Sequence, residues 1–171
     1  MLILILGLIC VVNGCNIRPE TIKCDEGWTY IQRKLGGWCV KLMNDYLACT
    51  SSTGYQGQWS GIESIDELNT YISMLKEKGV EKAFVGAGSR EDCQCDEAVC
   101  PITETCQIPS VWEWTLDTFI VGTEILNLVK PMSENKFGMN VYLSTDIGLN
   151  DDVPQTGGPL IDYLFCGKKS K

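Results

Sequence analysis

The sequence predicts an α+β domain with two helices, small antiparallel sheets and a long disulfide-stapled loop region. Three observations predict it. Two apolar-aromatic runs flank Gly36-Gly37, a hairpin signal. A capped amphipathic pattern runs from Ser64 to Gly79. Between Ser89 and Lys136 periodicity lapses around four cysteines, and short strand patterns then resume. With 171 residues and 44% apolar content, the chain closes one good core and not two.

Residues 1–14, MLILILGLICVVNG, form an uncharged apolar run shorter than a membrane span. They end in Val12-Asn13-Gly14, small or apolar enough for signal-peptidase cleavage, and no second such run follows. The expectation is a secretory signal peptide, no membrane span and an extracellular protein. Acylation at Cys15 is the weaker alternative, because Asn13 is a poor residue at that place.

The cysteines suit an oxidising compartment. Cleavage after Gly14 leaves nine of them and cleavage after Cys15 leaves eight. CQCDEAVCPITETC carries Cys93, Cys95, Cys100 and Cys106, without the paired knuckles of a tetrathiolate zinc site, so disulfides are favoured over metal.

Two absences narrow the chemistry. There is no histidine, which removes His-based hydrolases, His-ligated zinc enzymes and His proton shuttles. The formal charge is −8, and the basic run is the terminal KKSK, which reads as a solvated end. A nucleic-acid backbone or an anionic membrane surface is therefore not the expected main partner.

Along the chain, WTYI and WCVKL make the first hairpin, and Cys24 and Cys39 would staple it. NDYLACTSSTG reads as a short helix ending before Gly54, and QWSGIE as a brief extended piece. In SIDELNTYISMLKEKG, Ser64 and Glu67 form a capping box, Ile65, Leu68, Ile72 and Leu75 share a face, and Gly79 stops the helix. KAFVGAG is a buried strand and NVYLS an alternating one. Gly148 to Val153 reads as a turn into another extended segment, and DYLFCGK closes the chain. Cys166, near that end, is placed to cross-link back to Cys49, a long loop closure that contributes about 4 kcal/mol in the chain-entropy model.

In this order and spacing, C-x₂-GW-T at Cys24, GWCVKL, Ala48-Cys49, WSGIES-x₂-ELNTYI, AFVGA, VWEWT, VYLS, the LND triplet and Y-x-FCGK resemble a C-type lectin-like domain. The likeness covers residues 24–168 and is to the small secreted invertebrate, nematode-like type. It implies bridges Cys24–Cys39 and Cys49–Cys166, and a ligand-binding role for the long loop. The family's third common bridge is missing at both halves, at Asn140 and at Pro154 or Gln155. The four loop cysteines compensate by local stapling, in a pairing the sequence leaves open.

The resemblance also gives a meaning to STDIGLNDDVPQ, residues 144–155. Calcium-dependent members hold the ion with a proline loop flanked by oxygen ligands, a further acid, and the Asn and Asp of a Trp-Asn-Asp triplet. Here Asn150 and Asp151 match the triplet's two oxygen-bearing residues. Lys130-Pro131-Met132 keeps only the proline, which in the family is often cis, and Gly138 or Met139 stands where the further acid is expected. An ammonium in the cage repels the ion, so calcium, the one cofactor implied, meets a degenerate site. Glu134 and Asn135 supply oxygens if the loop runs in a shifted register.

The function implied is carbohydrate recognition, of microbial or self glycans in innate immunity, with Trp112 and Trp114 as candidate loop aromatics against a sugar face. The alternative is a calcium-independent module for an extracellular protein surface. No enzyme is expected: Glu113, Asp117 and Glu124 make no recognisable catalytic constellation and read as loop solvation.

Overall fold

A computed structural model describes residues 24–95, 99–114, 117–131, 136–138, 140–152 and 162–171. The expected signal segment, residues 1–14, and Cys15 lie outside them. The architecture is α+β, as expected.

Strands β1 (Thr29–Arg33) and β2 (Gly36–Met43) form the predicted hairpin, with Thr29 opposite Val40 and Arg33 opposite Gly36. The reversal is made by Lys34-Leu35, and Gly36-Gly37 open the second strand instead of making the turn. Helix α1 (Tyr46–Thr50) is one short turn capped by Asp45, whose carboxylate accepts from the Ala48 amide at 3.0 Å. It ends earlier than expected, because Ser51 already has an extended backbone.

Strand β3 (Gln58–Trp59) leads to helix α2 (Ile65–Lys78). This helix starts at the predicted cap, with the Glu67 amide donating to Ser64 Oγ, and stops at Gly79, which takes the left-handed conformation at φ 67°. Its buried face overlaps the one read from the sequence but is turned from it at the first residue and at Glu67 and Tyr71. Ile65 is exposed, whereas Glu67, Tyr71 and Leu75, spaced at i, i+4 and i+8, are buried, with Leu68 and Ile72 partly so. The capping box is also only half made. Glu67 sends one carboxylate oxygen to the Glu63 amide and the other to Arg33, in place of the reciprocal bond to the Ser64 amide.

Strand β4 (Lys82–Ser89) is the predicted buried strand. The loop region after it contains β5 (Val99–Pro101), β6 (Trp112–Glu113), a 3₁₀ turn at Glu124–Leu128 and β7 (Lys136–Gly138). The cis X-Pro bond among the described residues is Ile108-Pro109. Strands β8 (Asn140–Ser144) and β9 (Gly148–Asp152) form a second hairpin in which Asn150 lies opposite Tyr142 and Asp151 opposite Val141. Gly148 to Asp152 is thus strand, and the turn is Thr145–Ile147.

The last strand, β10 (Leu164–Lys169), lies inside the sheet, whose order is β1-β2-β10-β4-β8-β9. It runs antiparallel to β2 and meets β4 in parallel at Leu164 and Phe84. Strands β3 and β6 attach to β10 and β4, and β5-β7 form a separate two-stranded sheet. The principal core gathers Trp38, Leu75, Val85, Val141, Leu143 and Phe165, with Tyr71 stacked on Phe165 at 4.2 Å between ring centres.

Four disulfides staple this frame. Cys24–Cys39 and Cys49–Cys166 are the two bridges implied by the resemblance. The loop cysteines pair as Cys93–Cys106 around Cys95–Cys100, a nested arrangement. With two helices, small sheets and a stapled loop region, the architecture is the one that the C-type lectin-like resemblance implies.

Candidate functional site

The corner named by the sequence is assembled by β9 and the segment that precedes β7. Lys130 bridges in parallel to Asn150: its amide donates to the Leu149 carbonyl at 2.9 Å, and its carbonyl accepts from the Asp151 amide at 3.4 Å. The proline segment and the LND triplet are therefore neighbours in space, although about twenty positions separate them in the chain.

Neighbouring backbone does not make a calcium cage. Asp151 is 1% exposed, and its Oδ2 accepts from the Gly138 amide at 2.8 Å. Gly138 is one of the two positions where the resemblance expects a further acid, and it offers a donor in place of an acceptor. Asn150 is also buried, and its amide nitrogen donates to the Gly148 carbonyl at 2.9 Å. Lys130 and Pro131 are exposed beside it. Among the described residues no group of three or more His, Cys, Asp or Glu converges as a metal site. Calcium binds through six to eight converging oxygens, and the described residues do not fit it. Met132, Glu134, Asn135, Met139 and Pro154-Gln155 lie outside the described residues. Asn140, where half of the third bridge would fall, is exposed and faces Asp152 across the hairpin.

The two loop tryptophans separate. Trp112 is 3% exposed and packs edge-on against Phe137 at 5.7 Å, so its ring belongs to the core and is not offered to a sugar. Trp114 is half-buried, with Nε1 donating to the Gly122 carbonyl at 3.0 Å. Of the two, only Trp114 keeps accessible ring surface.

A feature that sequence reasoning missed lies below the loop region. Arg33, at the end of β1, is 2% exposed and is held between two buried carboxylates. Its Nη2 donates to Glu67 Oε1 at 2.6 Å and its Nη1 to Asp117 Oδ2 at 2.8 Å. Nη2 also reaches Ser60 Oγ and the Gly61 carbonyl, and the ring of Trp38 lies 4.5 Å from the guanidinium carbon. Tyr71 closes the network, its hydroxyl 2.6 Å from Ser60 Oγ and 3.0 Å from Glu67 Oε1.

Asp117 corrects an expectation: it is not a solvated loop acid. Its two oxygens accept from Arg33, the Gly61 and Phe119 amides, and the Gln58 side chain. A carboxylate so satisfied is a structural clamp that fastens the loop at 117–119 onto β1, β3 and the Gly61 backbone. Burial, reinforced by the Glu67 charge, pushes the Tyr71 phenol well above its ordinary range. Arg33 sits in TYIQRK, where a basic residue at a hairpin end looks solvated, so no local signal marks its burial.

No family model matches the sequence, and no curated protein matches it either. Several solved structures are similar in fold. A calcium-independent type II antifreeze protein shares 16% identity, with 90% of this chain and 99% of that chain covered, at a TM-score of 0.48. Human lithostathine also shares 16% identity, over 86% of this chain and 91% of its own, at 0.48. The cow C-type carbohydrate-recognition domain of CD23, in the presence of an oligosaccharide, shares 14% identity over 88% and 98%, at 0.49. No described helix is long and apolar enough to cross a membrane.

Proposed function

We propose that the chain is a secreted C-type lectin-like binding protein whose recognition of carbohydrate does not depend on calcium at the family's usual corner. One observation carries the calcium half of this reading: the Asp151 carboxylate is buried and bonded to the Gly138 amide. That bond takes up part of the carboxylate's acceptor capacity and holds it inside the fold, which supports a structural role for it. The carbohydrate half rests on the residues of the resemblance and on the accessible Trp114 ring. Secretion is supported by the four disulfides, which persist in oxidising compartments.

The test is a glycan array probed with the oxidised protein in calcium and in EDTA, together with a calorimetric calcium titration. Equal glycan binding in both buffers, with no saturable calcium heat, is the expected result. A saturable calcium site required for glycan binding overturns it.

An extracellular protein ligand is the second reading, favoured by the exposed apolar side chains Tyr46 and Leu47 side by side on α1. A partner captured independently of EDTA, whose binding is lost on Leu47→Asp, supports that reading instead.

A further inference from the structure

Lys171 is solvated as expected, its side chain 74% exposed, but the two lysines before it are part of the sheet. Lys168 and Lys169 belong to β10, and β2 lays Lys41 beside them, opposite Cys166. Their ammonium groups gather over aromatic rings: Lys41 and Lys168 lie 5.1 and 5.6 Å from the centre of the exposed Tyr55, and Lys169 lies 4.7 Å from that of the buried Phe119. Asp25 is ion-paired to this group, taking Lys168 and Lys171 at 2.6 Å each. Among the described residues, Lys41 and Lys169 have no ion pair. Two of the four ammonium groups thus share the Asp25 carboxylate and two have no paired acid, in a chain with 22 acidic residues and a net charge of −8. Like charges kept together repel, so a cluster of this kind creates a local positive field inside an otherwise negative one.

The cluster borders a cleft of about 440 Å³. Lys168, Lys169 and Lys171 line it together with Gln58, Thr118 and the 39%-exposed Tyr55. Gly57 and Gly167 also line it, and their backbones pass close together: a Cβ on Gly57 would lie 2.8 Å from the Gly167 carbonyl. The Gln58 amide is held in orientation, donating to Asp117 and lying 3.4 Å from the Thr118 hydroxyl through its oxygen. At the rim Gln56 holds φ 52°, a left-handed conformation uncommon for a non-glycine residue and enriched at ligand clamps.

We propose that this cleft binds a short acidic saccharide, one bearing sulfate or uronate groups. The ammonium groups match the acid, and the fixed amide and the hydroxyl match ring hydroxyls. A long nucleic acid fits less well, because its backbone would continue past the cleft along a chain whose net charge is −8. The proposal deepens the carbohydrate reading and rests on it, but it names a site separate from the Lys130–Asn150 corner.

The test titrates the oxidised protein, in EDTA, with a sulfated tetrasaccharide and with a neutral tetrasaccharide of similar size. The expected result is saturable binding of the sulfated ligand that weakens with salt and falls by roughly tenfold or more in the Lys169→Glu, Lys171→Glu double variant. Asp25→Asn removes the internal competitor and is expected to tighten binding several-fold, a gain that a folding defect does not produce. Equal binding of the neutral ligand, untouched by the double variant, overturns the cleft and leaves the carbohydrate reading in place. Binding only to phosphatidylserine vesicles or to a DNA oligonucleotide, lost in the double variant, overturns it in favour of a different anion. No binding to any saccharide overturns both readings.

Discussion

Arg33 and Glu67, 34 residues apart, share a buried charge-assisted hydrogen bond of 2.6 Å that sets which face of α2 turns inward. A pattern of apolar residues alone puts Ile65 inside and Glu67 out. Once the guanidinium of β1 is buried, the carboxylate follows it, and the helix turns to present Glu67, Tyr71 and Leu75 to the core. Replacing Arg33 with Ala leaves Glu67 and Asp117 buried without their cation. The expected loss is about 3–5 kcal/mol, read as a lower midpoint of chemical denaturation at unchanged slope. A variant as stable as the wild type sinks the clamp assignment.

Tyr71 links that network to alkaline stability. Its phenol is raised well above its ordinary value, so the folded state holds the proton more tightly than the unfolded chain does. This contribution is complete below about pH 10, the unfolded value, and is lost as pH rises toward the folded one. Ultraviolet titration is expected to show one tyrosine ionising only with unfolding, and Tyr71→Phe to remove that component. The same variant loses bonds to Ser60, Gly61 and Glu67, at a cost of about 1–2 kcal/mol near neutral pH.

Asp25 gives the corresponding acid signature. Hydrogen bonds from Lys168 and then Lys171 lower its pKa from 3.8 to about 2. Because the folded value lies below the unfolded one, the stabilisation is present above about pH 4 and is lost as pH falls through about 2. A carbon-detected NMR titration of the Asp25 carboxyl is expected to give a midpoint near 2, moving toward the ordinary value in Lys168→Gln.

For Asp151 the prediction separates structure from metal binding. Truncation by Asp151→Ala leaves the Gly138 amide without its acceptor and is expected to cost about 1–3 kcal/mol, whereas Asp151→Asn keeps an acceptor and costs less. Hydrogen exchange at Gly138 is the local readout, faster in the alanine variant. Calcium is expected to leave that exchange rate unchanged in the wild type, and protection by calcium would falsify the assignment.

The disulfides are predicted to rank by the loop they close. Replacing Cys49 and Cys166 with Ser together opens a loop of 117 residues and is expected to cost about 4–5 kcal/mol in the chain-entropy model. For Cys93 and Cys106 the separation is 13 and the figure is about 3 kcal/mol. Thermal melts of the two double variants test the order; the reverse ranking argues that native packing, not chain entropy, sets the cost.

Much of this protein was legible in its sequence because the signals are local. Ser64 and Gly79 bound α2 as predicted, since a cap needs only a hydroxyl or a glycine at the right offset. The first hairpin, the strand from Lys82 and the strand from Asn140 stand where their short-range patterns placed them. The resemblance carried the bridges Cys24–Cys39 and Cys49–Cys166.

What only the tertiary structure decided concerns groups whose role depends on what faces them from elsewhere in the chain. Asp117 looks the same in sequence whether water or a buried arginine meets it, and Trp112 the same whether it meets a sugar or Phe137. The LND triplet offers two oxygen-bearing side chains, but it took the approach of Gly138, on another strand, to hold the Asp151 carboxylate with a backbone amide. Lys41, Lys168, Lys169 and Lys171 become a cluster only because the last strand enters the sheet beside β2. Charge and hydrogen-bonding capacity are written residue by residue. Whether they are spent on solvent, on the fold or on a ligand is set by distances of a few ångströms between positions far apart in the chain.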